Sequence, residues 1–327
     1  MTPLPAAPDV SVIIPTWKAA GFVGKAVASA LASTGVTVEV VIVDDASPDN
    51  TFEAIQALAA ADPRVKIDRL PSNGGPSVAR NRAIDLGRGR YIAVLDADDT
   101  IVAGRLAELV RIADESEADI VVDNMIEVDE QGQRIGAAPF LKSSTFTQPR
   151  DIDLTTWVTF NLPMKPGDCL GYLKPILRRA TLVGLDQRYD PALRNSEDYY
   201  LVAHLLAAGA RMQYTPSAGY SYQRSTASTS HRLKPSQTQA WLGAEAAFRK
   251  HFAGTLTQVE IATLDARGRV LREVNQFVEA IDLVKARRFG SVAGLLASDP
   301  AAGANTLALF ARIAIGKVTG RPAFQNS

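Results

Sequence analysis

Short runs rich in Val and Ile alternate with segments of helical period through the first part of the chain. Residues 10–15, 38–44, 65–70, 91–95 and 119–124 read as strands, and Ile92 to Leu95 has the continuous apolar character of a strand covered on both faces. Helices are predicted between them, over residues 21–32, 50–61, 77–86 and 101–116. Strands alternating with helices imply a parallel sheet, so the expected class is α/β. The pattern then loosens. Residues 126–147, with the turn Glu130-Gln131-Gly132, suggest a hairpin or an irregular insertion, and helices are expected at 154–160 and 197–208. From about residue 235 the period is helical, over 236–252, 256–286 with Gly268 as a point of interruption, and 304–315. The expected organisation is a lead-in at 1–9, a domain at 10–235 with halves 10–125 and 126–235, and a helical region at 236–327.

Polar residues matter most where the strands end. Tyr91 to Leu95 runs directly into Asp96-Ala97-Asp98-Asp99. Open α/β sheets place ligands at the carboxyl ends of their strands, and adjacent carboxylates repel unless a cation neutralises them. A hard divalent ion such as Mg²⁺ or Mn²⁺, bridging carboxylate and phosphate, suits such a cluster. A solvated acidic turn capping the next helix is the alternative. The strand at 38–44 ends in Asp44-Asp45, which serves either as part of a helix cap or, beside Pro15 and Thr16, as part of a nucleotide pocket. In Asn73-Gly74-Gly75-Pro76 the glycines admit a ligand close to the backbone, ahead of a helix carrying Arg80 and Arg82, where a diphosphate could be neutralised. Glu197 and Asp198 open another helix, as dipole-favoured acids or as a general base. The polar stretch 222–232 suits a loop closing over phosphate, or a linker.

Composition narrows the classes. The chain has 327 residues with 35 basic and 35 acidic side chains, so no net charge points to nucleic acid. One cysteine excludes an internal disulfide and fits a reducing compartment, and three histidines make a structural zinc site a poor candidate. No Walker lysine and no G-x-G-x-x-G follow the first strand. No secretory signal opens the sequence, and no apolar run reaches the roughly 18 residues that span a bilayer. The expected location is cytoplasmic, with peripheral contact at the inner face of the plasma membrane open through the basic, apolar C-terminal helices.

Five motifs in order, VSVIIPTWKA at 10–19, VVIVDDASPDNT at 40–51, NGGPSVARNRAI at 73–84, YIAVLDADD at 91–99 and RYDP with SEDYYL at 188–201, resemble family-2 glycosyltransferases of the GT-A fold. The likeness is to bacterial exopolysaccharide transferases of the succinoglycan type. It implies a Rossmann-like, mostly parallel sheet with a C-terminal helical extension. It further implies that Pro15, Thr16 and Asp45 line a uracil and ribose pocket supported by Asp44. Asp96 and Arg80 would contact the donor, Asp98 would hold Mg²⁺ or Mn²⁺, and Asp99 would touch sugar or the metal's surroundings. Asp198 would be the catalytic base, with Glu197 holding acceptor or orienting the loop. The implied reaction is inverting transfer from a UDP-sugar, UDP-glucose first, to a saccharide or lipid-linked saccharide acceptor. One departure stands out: Ser225 occupies a position where the family often has histidine or arginine, with Arg224 or His231 as substitutes. Nucleotidyl transfer and an inactive nucleotide-sugar-binding assembly protein are the competing readings.

Overall fold

The computed structural model describes residues 7–185, 188–224 and 233–319. The first half is a ladder of β1 (Val10–Thr16), α1 (Val23–Leu31), β2 (Val38–Asp44), α2 (Thr51–Ala61), β3 (Val65–Arg69), α3 (Pro76–Leu86) and β4 (Tyr91–Val94). It continues through β5 (Thr100–Ile101), α4 (Arg105–Glu115), β6 (Ile120–Val128), β7 (Arg150–Asp151) and α5 (Leu154–Thr159). Next come β8 (Ile176–Arg178), α6 (Arg179–Val183), α7 (Glu197–Ala207) and β9 (Met212–Gln223). The chain closes with α8 (Pro235–His251), α9 (Gln258–Lys285), α10 (Phe289–Ser298) and α11 (Pro300–Thr319).

Nine strands form one sheet in the order β3-β2-β1-β4-β8-β6-β9-β5, with β7 paired to β9. The first four run parallel. β8 enters antiparallel between β4 and β6. Burial explains the apolar character of these strands, since every residue of β2 and all of β1 except Pro15 are buried. The result is the GT-A architecture: a mixed, mostly parallel sheet flanked by helices, with C-terminal helices beyond it.

β8 and β9 are not predicted from the pattern, and each has a reason. β8 is three residues long, too short for a period to show. β9 alternates, but the ladder with β6 steps from Thr215 opposite Asp123 to Ala218 opposite Asn124, a bulge at Pro216-Ser217 that breaks the period. Residues 126–128 end β6 and pair with β9, a tight turn then brings Arg134 into an antiparallel bridge with Val128, and irregular chain follows that short hairpin.

Packing divides the chain into two units, residues 1–153 with 170–228, and residues 154–169 with 229–327. Residues 154–169, expected in the acceptor half, therefore go with the helices. The reason is α5, whose Leu154, Trp157 and Val158 are buried, in a segment that packs with α9. Arg267 of α9 is buried and binds both Glu245 of α8 and the Asn161 carbonyl. Thr257 caps α9 in a capping box with Glu260, the Thr257 hydroxyl accepting from the Glu260 N–H at 3.3 Å. α9 then runs through Gly268 without interruption. A β-carbon at Gly268 would stand 3.3 Å from the Arg249 guanidinium, so the small residue makes room for that side chain.

A buried ion pair anchors the sheet unit. Arg105 and Asp123 are 2.7 Å apart with both side chains inaccessible, and Arg105 also donates to the Lys174 carbonyl. Asp123 accepts from the Gly219 N–H at 3.0 Å. Removing one partner strands a buried charge, whereas removing both replaces the pair with apolar packing. Arg105→Met is therefore expected to lower unfolding free energy in urea by about 3–5 kcal/mol. The double variant with Asp123→Leu should recover most of that loss; an equal or greater loss would mean that the pair itself is not the source.

Candidate active site

The carboxyl ends of the strands gather the polar residues. Asp44, the last residue of β2, is inaccessible. Its Oδ2 accepts from the Ser47 N–H at 3.1 Å and pairs with Arg69 at 3.2 Å. Its Oδ1 is buried without a hydrogen-bond partner among the described residues. A buried carboxylate oxygen left unsatisfied is an acceptor waiting for a donor. Asp45 is spent differently: it accepts from the Asn73 side-chain amide at 2.8 Å, the Gly74 N–H at 2.6 Å and the Gly75 N–H at 2.8 Å. It holds the Gly-rich loop. Gly75 has φ of +90°, and a β-carbon there would lie 2.5 Å from the Arg194 guanidinium, so glycine is required. Pro15 is half-buried, and Thr16 is buried with its hydroxyl donating to the Val43 carbonyl. Beside them Trp17 is half exposed, with the Lys18 ammonium 4.5 Å from its ring.

Beyond β4 the three acids separate in role. Asp99 is buried and accepts from the Tyr220 hydroxyl at 2.6 Å and the Gln223 N–H at 2.7 Å, so both its oxygens serve β9. Burial and the charges of Asp96 and Asp98 hold its pKa well above the usual range. Asp98 is solvent-accessible, yet partial desolvation of its carboxyl among its neighbours and the Asp96 charge raise its pKa as well. A cation at Asp98 would relieve that repulsion. No group of three or more His, Cys, Asp or Glu gathers as a metal cage among the described residues.

Asp96 enters a closed ring of alternating charge. Arg80 on α3 donates to Asp96 at 2.8 Å and to Glu197 at 2.5 Å, and lies 3.7 Å from Asp198. Lys174, just before β8, reaches Asp96 at 2.9 Å and Asp198 at 3.0 Å. Arg80 also packs over the Tyr189 ring, 5.4 Å from its centroid. Burial alone would raise the Asp198 carboxyl, but the charges of Arg80 and Lys174 outweigh it and hold its pKa below the usual range. Asp96 is likewise held low by Lys174 and Arg80 against its burial. Glu197 goes the other way, raised by burial and the nearby Asp198 charge despite Arg80. Ser196, left-handed at φ of 61°, turns the chain so that both acids fall in the first turn of α7.

The structure thus brings Arg80, Asp96, Glu197 and Asp198 into direct contact, keeps Asp98 exposed beside them, and places Asp44, Asp45, Pro15 and Thr16 at the ends of the neighbouring strands β1 and β2. Arg82 instead pairs with Asp68 at the surface. Arg224 pairs with Glu127 at 3.4 Å, while Ser225, His231 and the rest of the expected closing loop lie outside the described residues. Lys174 and Tyr220 are missed by sequence reasoning, while Tyr189 stood inside the RYDP motif without a role of its own. Lys174 carries no local signal, being one lysine in an irregular segment. Trp17 did carry one, an aromatic directly after a strand-end Pro-Thr.

Residues 11–180 match the family model described as glycosyl transferase family 2. The succinoglycan biosynthesis protein ExoO of Rhizobium meliloti (strain 1021) is 36% identical over 293 residues, covering 90% of this chain and 82% of that protein. ExoU of the same organism is 34% identical over 300 residues, with coverage of 90% and 84%. S. aureus TarS 1-349, solved in complex with UDP, superposes with a TM-score of 0.60 at 18% identity, covering 84% of this chain and 72% of that one. A mannosyltransferase from Pyrobaculum calidifontis, solved with GDP-Man and Mn²⁺, gives a TM-score of 0.57 at 17% identity, covering 95% and 81%. At such identities the two solved structures speak to fold alone.

Proposed function

We propose, from the premise that this chain belongs to glycosyl transferase family 2, that it moves a sugar from a UDP-sugar, UDP-glucose first, to a saccharide or lipid-linked saccharide acceptor in exopolysaccharide synthesis. That it is a glycosyltransferase follows from the family; the donor, the acceptor and the stereochemistry are the proposal. The observation that carries it is the ring of Arg80, Asp96, Lys174 and Asp198, which joins the donor-side acid to the carboxylate taken as base.

The unpartnered Asp44 Oδ1 supports recognition of a base that offers an N–H, as uracil does. Trp17 supplies an exposed aromatic on which that base can stack. Asp45 acts through the loop it holds, keeping Gly74 and Gly75 in place at the head of α3. Asp96 and Arg80 meet the donor. Asp98 would hold Mg²⁺ or Mn²⁺, which would supply Lewis-acid stabilisation of the leaving nucleoside diphosphate. Asp99 reaches the sugar only through the Tyr220 and Gln223 it fixes.

Asp198 takes the proton from the acceptor hydroxyl as that oxygen attacks the anomeric carbon. The bond from that carbon to the diphosphate oxygen breaks on the opposite face, and the pair of electrons leaves with the nucleoside diphosphate. One base and no protein nucleophile make the outcome inversion. Lys174 and Arg80 keep Asp198 ionised and aimed, and Glu197, tied to Arg80, holds the acceptor side. The family match leaves nucleotidyl transfer without support, and the assembled ring argues against an inactive binding protein.

A thermal-shift screen of nucleotide sugars with and without Mn²⁺ tests the reading. Ligand at about 100 times its Kd should stabilise the protein by about 2.7 kcal/mol, enough for a clear rise in Tm. The expected result is a rise with one UDP-sugar that grows with Mn²⁺, the added part disappearing in Asp98→Asn. No rise with any nucleotide sugar sinks the proposal.

A further inference from the structure

Helix α3 carries polar residues at every fourth position, Ser77, Asn81 and Asp85, and Asn73 stands one such step ahead of the helix. Residues four apart lie above one another on a helix, so these side chains make a stripe. Each member reaches the chain at 188–194, and they meet it in reverse order. Asp85 pairs with Arg188 at 2.8 Å. Asn81 holds the Tyr189 backbone twice, donating to its carbonyl at 2.8 Å and accepting from its N–H at 3.1 Å. The inaccessible Ser77 donates its hydroxyl to the Leu193 carbonyl at 3.0 Å. Asn73 accepts from the Arg194 guanidinium at 3.0 Å, while its own amide donates to Asp45. Immediately beyond, Glu197 and Asp198 meet Arg80 of the same helix.

Residues 188–196 contain neither helix nor strand, so no backbone ladder fixes where they lie. Tyr189 and Leu193 are buried, which presses the segment against the core. Burial is not directional and does not set a register. Hydrogen bonds to individual backbone groups do set one. Asparagine is a weak helix former, so its place inside α3 needs a reason, and the two bonds to Tyr189 give it. The Tyr189 ring in turn packs against the Arg80 guanidinium, 5.4 Å from ring centroid to guanidinium carbon. A shift at Tyr189 therefore reaches Arg80 and, through it, both acids.

We propose that α3 is the template that positions the base: Asn73, Ser77, Asn81 and Asp85 set the register of residues 188–194 so that Asp198 arrives beside Arg80. The template rests on the reading of Asp198 as base, and Asn81 is its central positioning residue. It touches neither donor nor acceptor and acts only by placing the segment that carries the acids.

The test starts from Asn81→Ala, which removes both bonds and installs a better helix former, so circular dichroism and Tm should stay close to the parent's. Turnover is read as release of nucleoside diphosphate from the nucleotide sugar that raises Tm in the screen above, UDP-glucose first. Asn81→Ala is expected to lower kcat by roughly 10- to 100-fold, as a small misplacement of a reacting group does, with Kd for that nucleotide sugar within about twofold. Arg82→Ala, which removes only the surface pair with Asp68, should leave kcat within about twofold of the parent. The double variant of Asn81→Ala with Asp198→Asn then separates positioning from a general defect. If Asn81 acts through the base, its loss adds nothing once the base is gone, and the double variant turns over as Asp198→Asn does. A packing defect would instead multiply the two losses. Parent-like turnover in Asn81→Ala, multiplied losses in the double variant, or nucleotide-sugar affinity falling together with kcat would overturn the template. Turnover kept in Asp198→Asn alone would remove the base, and the template with it.

Discussion

Asp198→Asn is expected to lose transfer by about 10²–10⁴ in kcat while still binding donor and metal. The amide matches the carboxylate in shape, and Lys174 keeps its second partner, Asp96, at 2.9 Å. Local structure should therefore survive, and the thermal shift with donor should be close to that of the parent. What disappears is the acceptor for the hydroxyl proton. A loss of 10³ corresponds to about 4 kcal/mol in the barrier, well above the 0.5–1.5 kcal/mol of one ordinary hydrogen bond. The size of the effect thus separates a base from a mere contact. Turnover within a few-fold of the parent would remove Asp198 from that role.

Lys174→Met should be nearly as severe, and its signature is in the pH profile. Asp198 is buried, which raises its pKa, and Asp96 raises it further; Arg80 and Lys174 bring it below the ordinary range. A base works only when deprotonated, so the parent's acid limb in kcat/KM lies below the usual carboxylate titration. Without Lys174 one of the two lowering charges is lost while burial and Asp96 remain. The acid limb then moves to higher pH, and the active window shrinks from its acid side. Two half-buried carboxylates losing a shared cation should also lower stability measurably, by less than the loss of a fully buried pair. Measuring kcat/KM from mildly acid to neutral pH checks the first effect, and urea unfolding checks the second. An acid limb that stays in place would show that Lys174 does not act on the base.

Much of this site can be read locally. Asp44, Asp45, Asp96, Asp98, Glu197 and Asp198 all sit at strand ends or helix starts, where a few neighbouring residues define both the element and the direction the next one takes. Arg80 is legible for the same reason, one turn into a helix that opens on Gly75-Pro76. Lys174 is not, because its partners Asp96 and Asp198 come from other elements and nothing around it in sequence marks it. Tyr220 is hidden by the bulge that breaks the alternation of β9.

The sequence by itself determined the alternating strands and helices, the acids at the strands' carboxyl ends and the helical C-terminal region, since these depend on period, capping and residue type over short spans. Only the tertiary structure decided how those acids divide their work. Asp45 is consumed by the Gly-rich loop and Asp99 by β9, Asp98 is left facing outward, and Asp96 and Asp198 are joined through Arg80 and Lys174. Those pairings depend on which strands lie side by side and in what register, a property of the assembled sheet that no local segment carries.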